Sequence, residues 1–299
     1  MEPPLPQINS VHVNGDQTLA LLAGPQGGVV YSLDSHTEER RISQEDDIIE
    51  RAIWVADRIA LGTTSGSVKI IEEDGKEAMS FKAHAGRVEA MVVHPSGELL
   101  VSVGSDNSFV VYDLQQGKIA IRKRVDAGKE FPLSSSKNQT LTSRKDLRDA
   151  AIHPDGALLA IGDSAGHIRV FDLIECTEQA VFDGTGAISR LEFSENGIWL
   201  AAASTGESSI SIWDLRKMSL LHSITLSGEI RDIRWDYTGQ HLAVAGSEGV
   251  SVQHYSKAKK SWSEPFRVGS PCRLLAWGAQ ARSLVALADS QALIGFGEQ

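Results

Sequence analysis

Hydrophobic positions in this chain alternate with polar ones in short runs and never settle into a helical period. Between Asp183 and Lys217 three such runs follow one another. The first alternates through Ile188, Leu191 and Phe193, and the second is a small apolar run from Trp199 to Ala203. The third alternates again through Ile210 and Ile212 and closes on Trp213-Asp214. SENG separates the first two runs and STGESS the last two. Alternation of period two, bounded by polar glycine-bearing turns, predicts antiparallel strands rather than helices.

The pattern repeats. The apolar residue opening the small-residue run recurs as Leu19, Ile59, Leu100, Leu159, Leu200, Leu242 and Leu284. Successive spacings are 40, 41, 59, 41, 42 and 42, so a single insertion of 18 residues accounts for the outlier. A period of roughly 40–45 residues is that of a four-stranded propeller blade. The chain is therefore predicted to be all-β, a seven-bladed β-propeller of the WD-repeat kind. It is read as one domain over residues 1–299, with an inserted surface loop at about 126–147 between the third and fourth blades.

Four first turns carry glycine in a polar tetrapeptide, at Gly97, Gly156, Gly197 and Gly239, where a positive φ is expected. The small-residue runs (LAIG, LAAA, LAVA) are expected beside the ring axis, where blades crowd. An enzyme site in the central channel would need His, Glu or Arg on the axial strands, and runs of Ala, Leu, Val and Gly argue against one. The last unit has three strands, and only Met1 to Gln7 precede the first. The closing strand is thus expected upstream of residue 1, the chain being a fragment; the alternative is closure by apolar packing alone.

Charge narrows the function. With 29 Lys and Arg against 39 Asp and Glu, the formal net charge of −10 argues against a general polyanion binder. Cys176 and Cys272 are read as two packed thiols in preference to one long-range disulfide. No apolar run reaches membrane-spanning length, and MEPPLPQ lacks the features of a signal peptide, which points to nucleus or cytosol. Metal-ligand spacings, phosphate loops and nucleophile elbows are all missing, so no catalytic residue, metal or cofactor is expected. Asp113, Asp172 and Asp214 recur at one place in the repeat and read as structural.

Two groups of polar residues stand out. From Arg122 to Arg148 eight basic residues face three acidic ones. Arg122, Lys123, Arg124, Lys137, Arg144, Lys145 and Arg148 are the candidate partner-binding residues, for an acidic protein surface or RNA phosphates. A solvated, tolerated insertion is the plainer reading of the same tract. The second group lies in the third blade. His84, Ser102, Asp106 and Tyr112 occupy the positions that form a buried hydrogen-bonded chain in many WD-repeat blades, a network that stiffens a blade when fully satisfied.

The wording of the opening blade is more specific than its class. ISRLEFSENGIWLAAAS with ISIWDLRK resembles the fifth blade of the pre-mRNA-processing factor nineteen family. AIHPDGALLAIG with IRVFDL before it, and IRWDYTGQHLAVAG with VSVQHY after it, extend the resemblance from about Leu147 to Tyr255. The resemblance implies the repeat domain of a U-box ubiquitin ligase and spliceosome scaffold, with the U-box and a tetramer-forming coiled coil lying outside this segment. It implies a nuclear docking role, with spliceosomal proteins, ubiquitination substrates and an RNA-binding splicing subunit as partners and no membrane association. This domain alone is expected to be a monomer. A general WD-repeat adaptor in cytoplasmic signalling or trafficking is the alternative.

Overall fold

The computed structural model describes residues 5–16, 18–35, 37–43, 47–125, 146–256, 261–263, 266–277, 283–290 and 293–297. All regular structure among them is β, arranged as seven antiparallel sheets in a ring. The first sheet contains β1 (Ser10–Val13), β2 (Leu19–Gly24), β3 (Gly27–Ser32) and β4 (Glu38–Ile42). The second contains β5 (Ile49–Val55), β6 (Arg58–Thr63), β7 (Ser67–Ile71) and β8 (Glu77–Lys82). The third contains β9 (Val88–Val93), β10 (Leu99–Gly104), β11 (Ser108–Asp113) and β12 (Lys118–Arg124). The fourth is β13 (Leu147–Ile152), β14 (Leu158–Asp163), β15 (His167–Asp172) and β16 (Glu178–Asp183). The fifth is β17 (Ile188–Phe193), β18 (Trp199–Ser204), β19 (Ser209–Asp214) and β20 (Ser219–Thr225).

The sixth sheet departs from this plan. After β21 (Ile230–Trp235) and β22 (His241–Gly246), the long β23 (Gly249–Ser256) pairs with both β24 (Ser261–Trp262) and β25 (Phe266–Val268). The seventh is three-stranded among the described residues: β26 (Cys272–Trp277), β27 (Ser283–Ala288) and β28 (Leu293–Gly297).

Why these runs become strands is visible in their burial. Middle strands such as β2, β14 and β18 are covered on both faces by neighbouring blades and are buried almost throughout, so they read as continuous apolar runs. Outer strands such as β8 and β12 are half solvated and alternate. Along β18 the two faces serve different neighbours. Leu200 and Ala202 join the apolar cluster shared with the fourth blade, whereas Ala201 and Ala203 join that shared with the sixth. The core is accordingly seven inter-blade clusters. The one between the seventh and first blades is completed by Leu5 and Ile8, each 1% exposed, against Leu274 and Leu287.

The first turns need their glycines for two reasons. Gly156 and Gly197 sit at φ +82° and +68°, a region costly for a residue with a Cβ. Each also lies under a histidine of the preceding blade: a Cβ on Gly197 would stand 2.8 Å from the His153 ring, and His94 takes the same place over Gly156.

One sequence expectation fails. The small-residue strand is not beside the axis. The strands that touch their counterparts around the ring are β1, β5, β9, β13, β17, β21 and β26, the run preceding each first turn, with β1 against β26 closing the circle. The small residues are demanded one strand further out, by the close approach of blade to blade: a Cβ on Gly62 would stand 2.7 Å from Val88 Cγ1. Both cysteines are free thiols, Cys272 buried and Cys176 partly so.

Candidate functional site

The third blade brings His84, Ser102, Asp106 and Tyr112 together. Ser102 on β10 and Tyr112 on β11 meet across the sheet, the serine Oγ lying 2.7 Å from the tyrosine hydroxyl and 2.7 Å from His84 Nε2. His84 Nδ1 lies 3.1 Å from Asp106 Oδ1. The carboxylate terminates the chain by accepting the Ala85 N–H at 2.9 Å and the Ser108 hydroxyl at 2.7 Å. Only one proton arrangement satisfies every member. Tyr112 donates to Ser102, Ser102 to His84 Nε2, and His84 Nδ1–H to Asp106, so the imidazole is neutral. Burial holds the His84 pKa below the ordinary value against the opposing pull of Asp106, and burial raises that of Tyr112. Burial would raise Asp106 too, but its hydrogen bonds outweigh that and hold it down. Ser108, a fifth member, was not singled out in the sequence, where it reads only as the end of a polar turn.

The axial strands carry a second polar set that the sequence reading missed. An innermost strand is an edge strand, with N–H groups lacking a partner within its own sheet. At five such positions among the described residues a side chain from the preceding blade, one repeat away, serves as acceptor. Asp149 Oδ2 accepts the Leu191 N–H at 2.7 Å, Glu192 Oε2 that of Trp235 at 2.9 Å, and Asp232 Oδ2 that of Leu275 at 2.8 Å. On the opposite side of the ring His12 Nδ1 accepts from Trp54 N at 3.3 Å, and Ser10 Oγ bonds both the carbonyl and the N–H of Ala52. Asp232, fully buried, also pairs with Arg190 at 2.9 Å. Burial pushes His12 down to about 4 and Glu192 up to about 8, which leaves both uncharged at neutral pH.

These residues overturn the premise on which channel chemistry was set aside, because the axial strands carry His, Glu, Asp and Arg. Their bonding is nonetheless that of a scaffold: the carboxylates are spent on the backbone of the next blade. The repeated aspartates do comparable work at the third turns. Asp113, Asp172 and Asp214 each accept two backbone N–H groups from the residues that follow.

The candidate partner-binding residues are dispersed. Arg122 is exposed on the outer strand, its guanidinium held by the carbonyls of Lys82 and Ala83 in the second blade. Lys123 reaches the Cys176 carbonyl in the fourth blade. Both therefore bridge blades. Arg124 is exposed and Arg148 half-buried. Lys137, Arg144 and Lys145, with residues 126–145 of the insertion, lie outside the described residues.

Seven sheets in a ring, built from a strand order repeated about every 41 residues, define a WD-repeat β-propeller. Family comparison agrees: the WD domain, G-beta repeat, matches residues 135–172 and 176–214, and the anaphase-promoting complex subunit 4 WD40 domain matches residues 55–137. More particularly, the chain is similar to pre-mRNA-processing factor 19 proteins over most of its length and is consistent with their WD-repeat domain. It is 28% identical to pre-mRNA-processing factor 19 homolog 2 of Arabidopsis thaliana over 253 residues, 83% of this chain and 43% of that protein. It is 28% identical to pre-mRNA-processing factor 19 of Dictyostelium discoideum over 294 residues, 91% of this chain and 53% of the relative. The Bos taurus protein of the same name is 32% identical over 186 residues, 61% of this chain and 33% of its own length. The chain thus spans about half or less of the relatives it matches.

Proposed function

We propose that this chain is the docking domain of a spliceosome-associated U-box ubiquitin ligase, recruiting splicing factors and ubiquitination substrates in the nucleus. The observation that carries the reading is similarity to pre-mRNA-processing factor 19 proteins over 83% and 91% of the chain. A rigid ring suits the task. Inter-blade hydrogen bonds fix the relative positions of the blades, so the loops at either end form a wide surface that loses little freedom on binding. Ligase chemistry and a tetramer-forming coiled coil belong to other parts of the full protein, and the propeller alone is a monomer. The basic tract from Arg122 to Arg148, between the third and fourth blades, contacts an acidic partner or an RNA-binding subunit.

The test is affinity capture from nuclear and cytoplasmic extracts with this chain as bait, read by quantitative mass spectrometry. Enrichment of spliceosomal subunits from the nuclear extract is the expected result. Retention of only cytoplasmic signalling or trafficking proteins would replace this reading with that of a general WD-repeat adaptor.

A further inference from the structure

The axial channel has a volume of about 540 Å³, within the range of small-molecule sites. Three guanidinium groups line it, those of Arg51 on β5, Arg190 on β17 and Arg234 on β21. Their surroundings differ in a way the inter-blade bonding explains. An acidic or hydroxyl side chain at an axial position turns to the wall and accepts an N–H from the next blade. A guanidinium has no acceptor and cannot do this. Arg190 is held by Asp232 at 2.9 Å and by the Ser189 carbonyl. Arg234 lies 3.3 Å from the Leu275 carbonyl, with Asp232 and Glu192 just inside 4 Å. Among the described residues Arg51 is bonded only to the carbonyl of its neighbour Glu50, at 2.9 Å, and no carboxylate stands within ion-pair distance of it.

Arg51 and Arg190 belong to the second and fifth blades, on opposite sides of the lumen, yet are near enough to repel. Burial first and the charge of Arg190 second pull the Arg51 guanidinium below its ordinary range. Asp149, Glu50 and Glu89 offset part of this, but among the described residues none stands within ion-pair distance of Arg51, Asp149 is itself pushed up by burial, and the net displacement of Arg51 stays downward. Two guanidiniums that line one half-buried lumen, each with N–H groups beyond those its bonds use, suit a compact dianion with several acceptors. A phosphate group carries about −1.5 to −2 charges at neutral pH and three acceptor oxygens, and guanidinium binds it in bidentate fashion.

We propose that the axial channel binds a phosphate group, free or as a small phosphomonoester, between Arg51 and Arg190. The lumen exceeds one phosphate in volume, which leaves room for the organic part of an ester.

Calorimetric and phosphorus NMR titrations of the whole chain, at constant ionic strength, test this with inorganic phosphate, O-phosphoserine and acetate as probes. Saturable binding of at least one phosphate probe, at least tenfold tighter than acetate, is expected. Binding of phosphate without O-phosphoserine identifies the free anion as occupant; binding of both identifies an ester site. Arg51→Gln keeps most of the side-chain stem and removes the charge, and is expected to weaken binding at least tenfold. Arg41→Ala, which removes an exposed arginine of β4, should leave binding unchanged. A variant-free readout is protection from phenylglyoxal: phosphate should slow modification of Arg51 and not of Arg41. Absence of saturable binding, equal affinity for acetate, or unaltered binding by Arg51→Gln would each overturn the proposal.

Discussion

Replacing Asp232 with alanine probes the bonding between blades at its most heavily used point. The carboxylate is fully buried and accepts from Arg190 Nε at 2.9 Å, from Leu275 N at 2.8 Å and from its neighbour Ile233 N at 3.1 Å. Asp232→Ala strands a largely buried guanidinium and leaves the Leu275 N–H, at the inner edge of the seventh blade, without an acceptor. Breaking a buried ion pair by removing one partner costs about 3–5 kcal/mol. Ser10→Ala is the natural comparison, since Ser10 performs the same task one repeat ahead of Ala52 with a neutral hydroxyl, and its loss costs about 1 kcal/mol. For domains somewhat smaller than this one, each kcal/mol lowers Tm by roughly 2–4 °C. At the low end of that range, which suits a larger domain, Asp232→Ala should lower Tm by about 6–10 °C and Ser10→Ala by about 2 °C. Thermal unfolding by circular dichroism measures the shifts, and hydrogen exchange at the Leu275 amide locates them. An Asp232→Ala penalty no larger than that of Ser10→Ala, or unchanged exchange at Leu275, would refute the idea that axial carboxylates tie blade to blade.

Two further outcomes follow from the same geometry. Glu192 is pushed from 4.5 to about 8 in the fold, so the folded state holds its proton more tightly than the unfolded chain. Its contribution is complete below pH 4.5 and is lost as pH rises through 8, at about 1.4 kcal/mol per pKa unit shifted. Wild-type stability minus that of Glu192→Gln, from urea unfolding at pH 5 to 9, should fall by a few kcal/mol over that span, and a flat difference would contradict the assignment. In the third blade, Ser102→Ala and Tyr112→Phe remove adjacent links of one chain. Their double-mutant cycle should show about 0.5–2 kcal/mol of coupling, whereas additive losses would mean that the chain does not act as a unit.

Strands, turns and the seven-fold repeat are legible along the chain because they depend on local rules. Alternation reports one solvated face, glycine marks a turn that needs positive φ, and a fixed period reports units stacked on one another. Gly97, Gly156, Gly197 and Gly239 were placed by those rules, and all four have positive φ. Alternation cannot say which edge of a sheet faces the axis, and the small-residue strand was assigned there although it lies one strand out. The bonds of Asp149, Glu192 and Asp232 were hidden for a related reason. Each joins residues about one repeat apart, and nothing nearby in the chain distinguishes a wall-facing carboxylate from a solvated one. Only closure of the ring, which sets the N–H groups of Leu191, Trp235 and Leu275 against the preceding blade, decides what those side chains do.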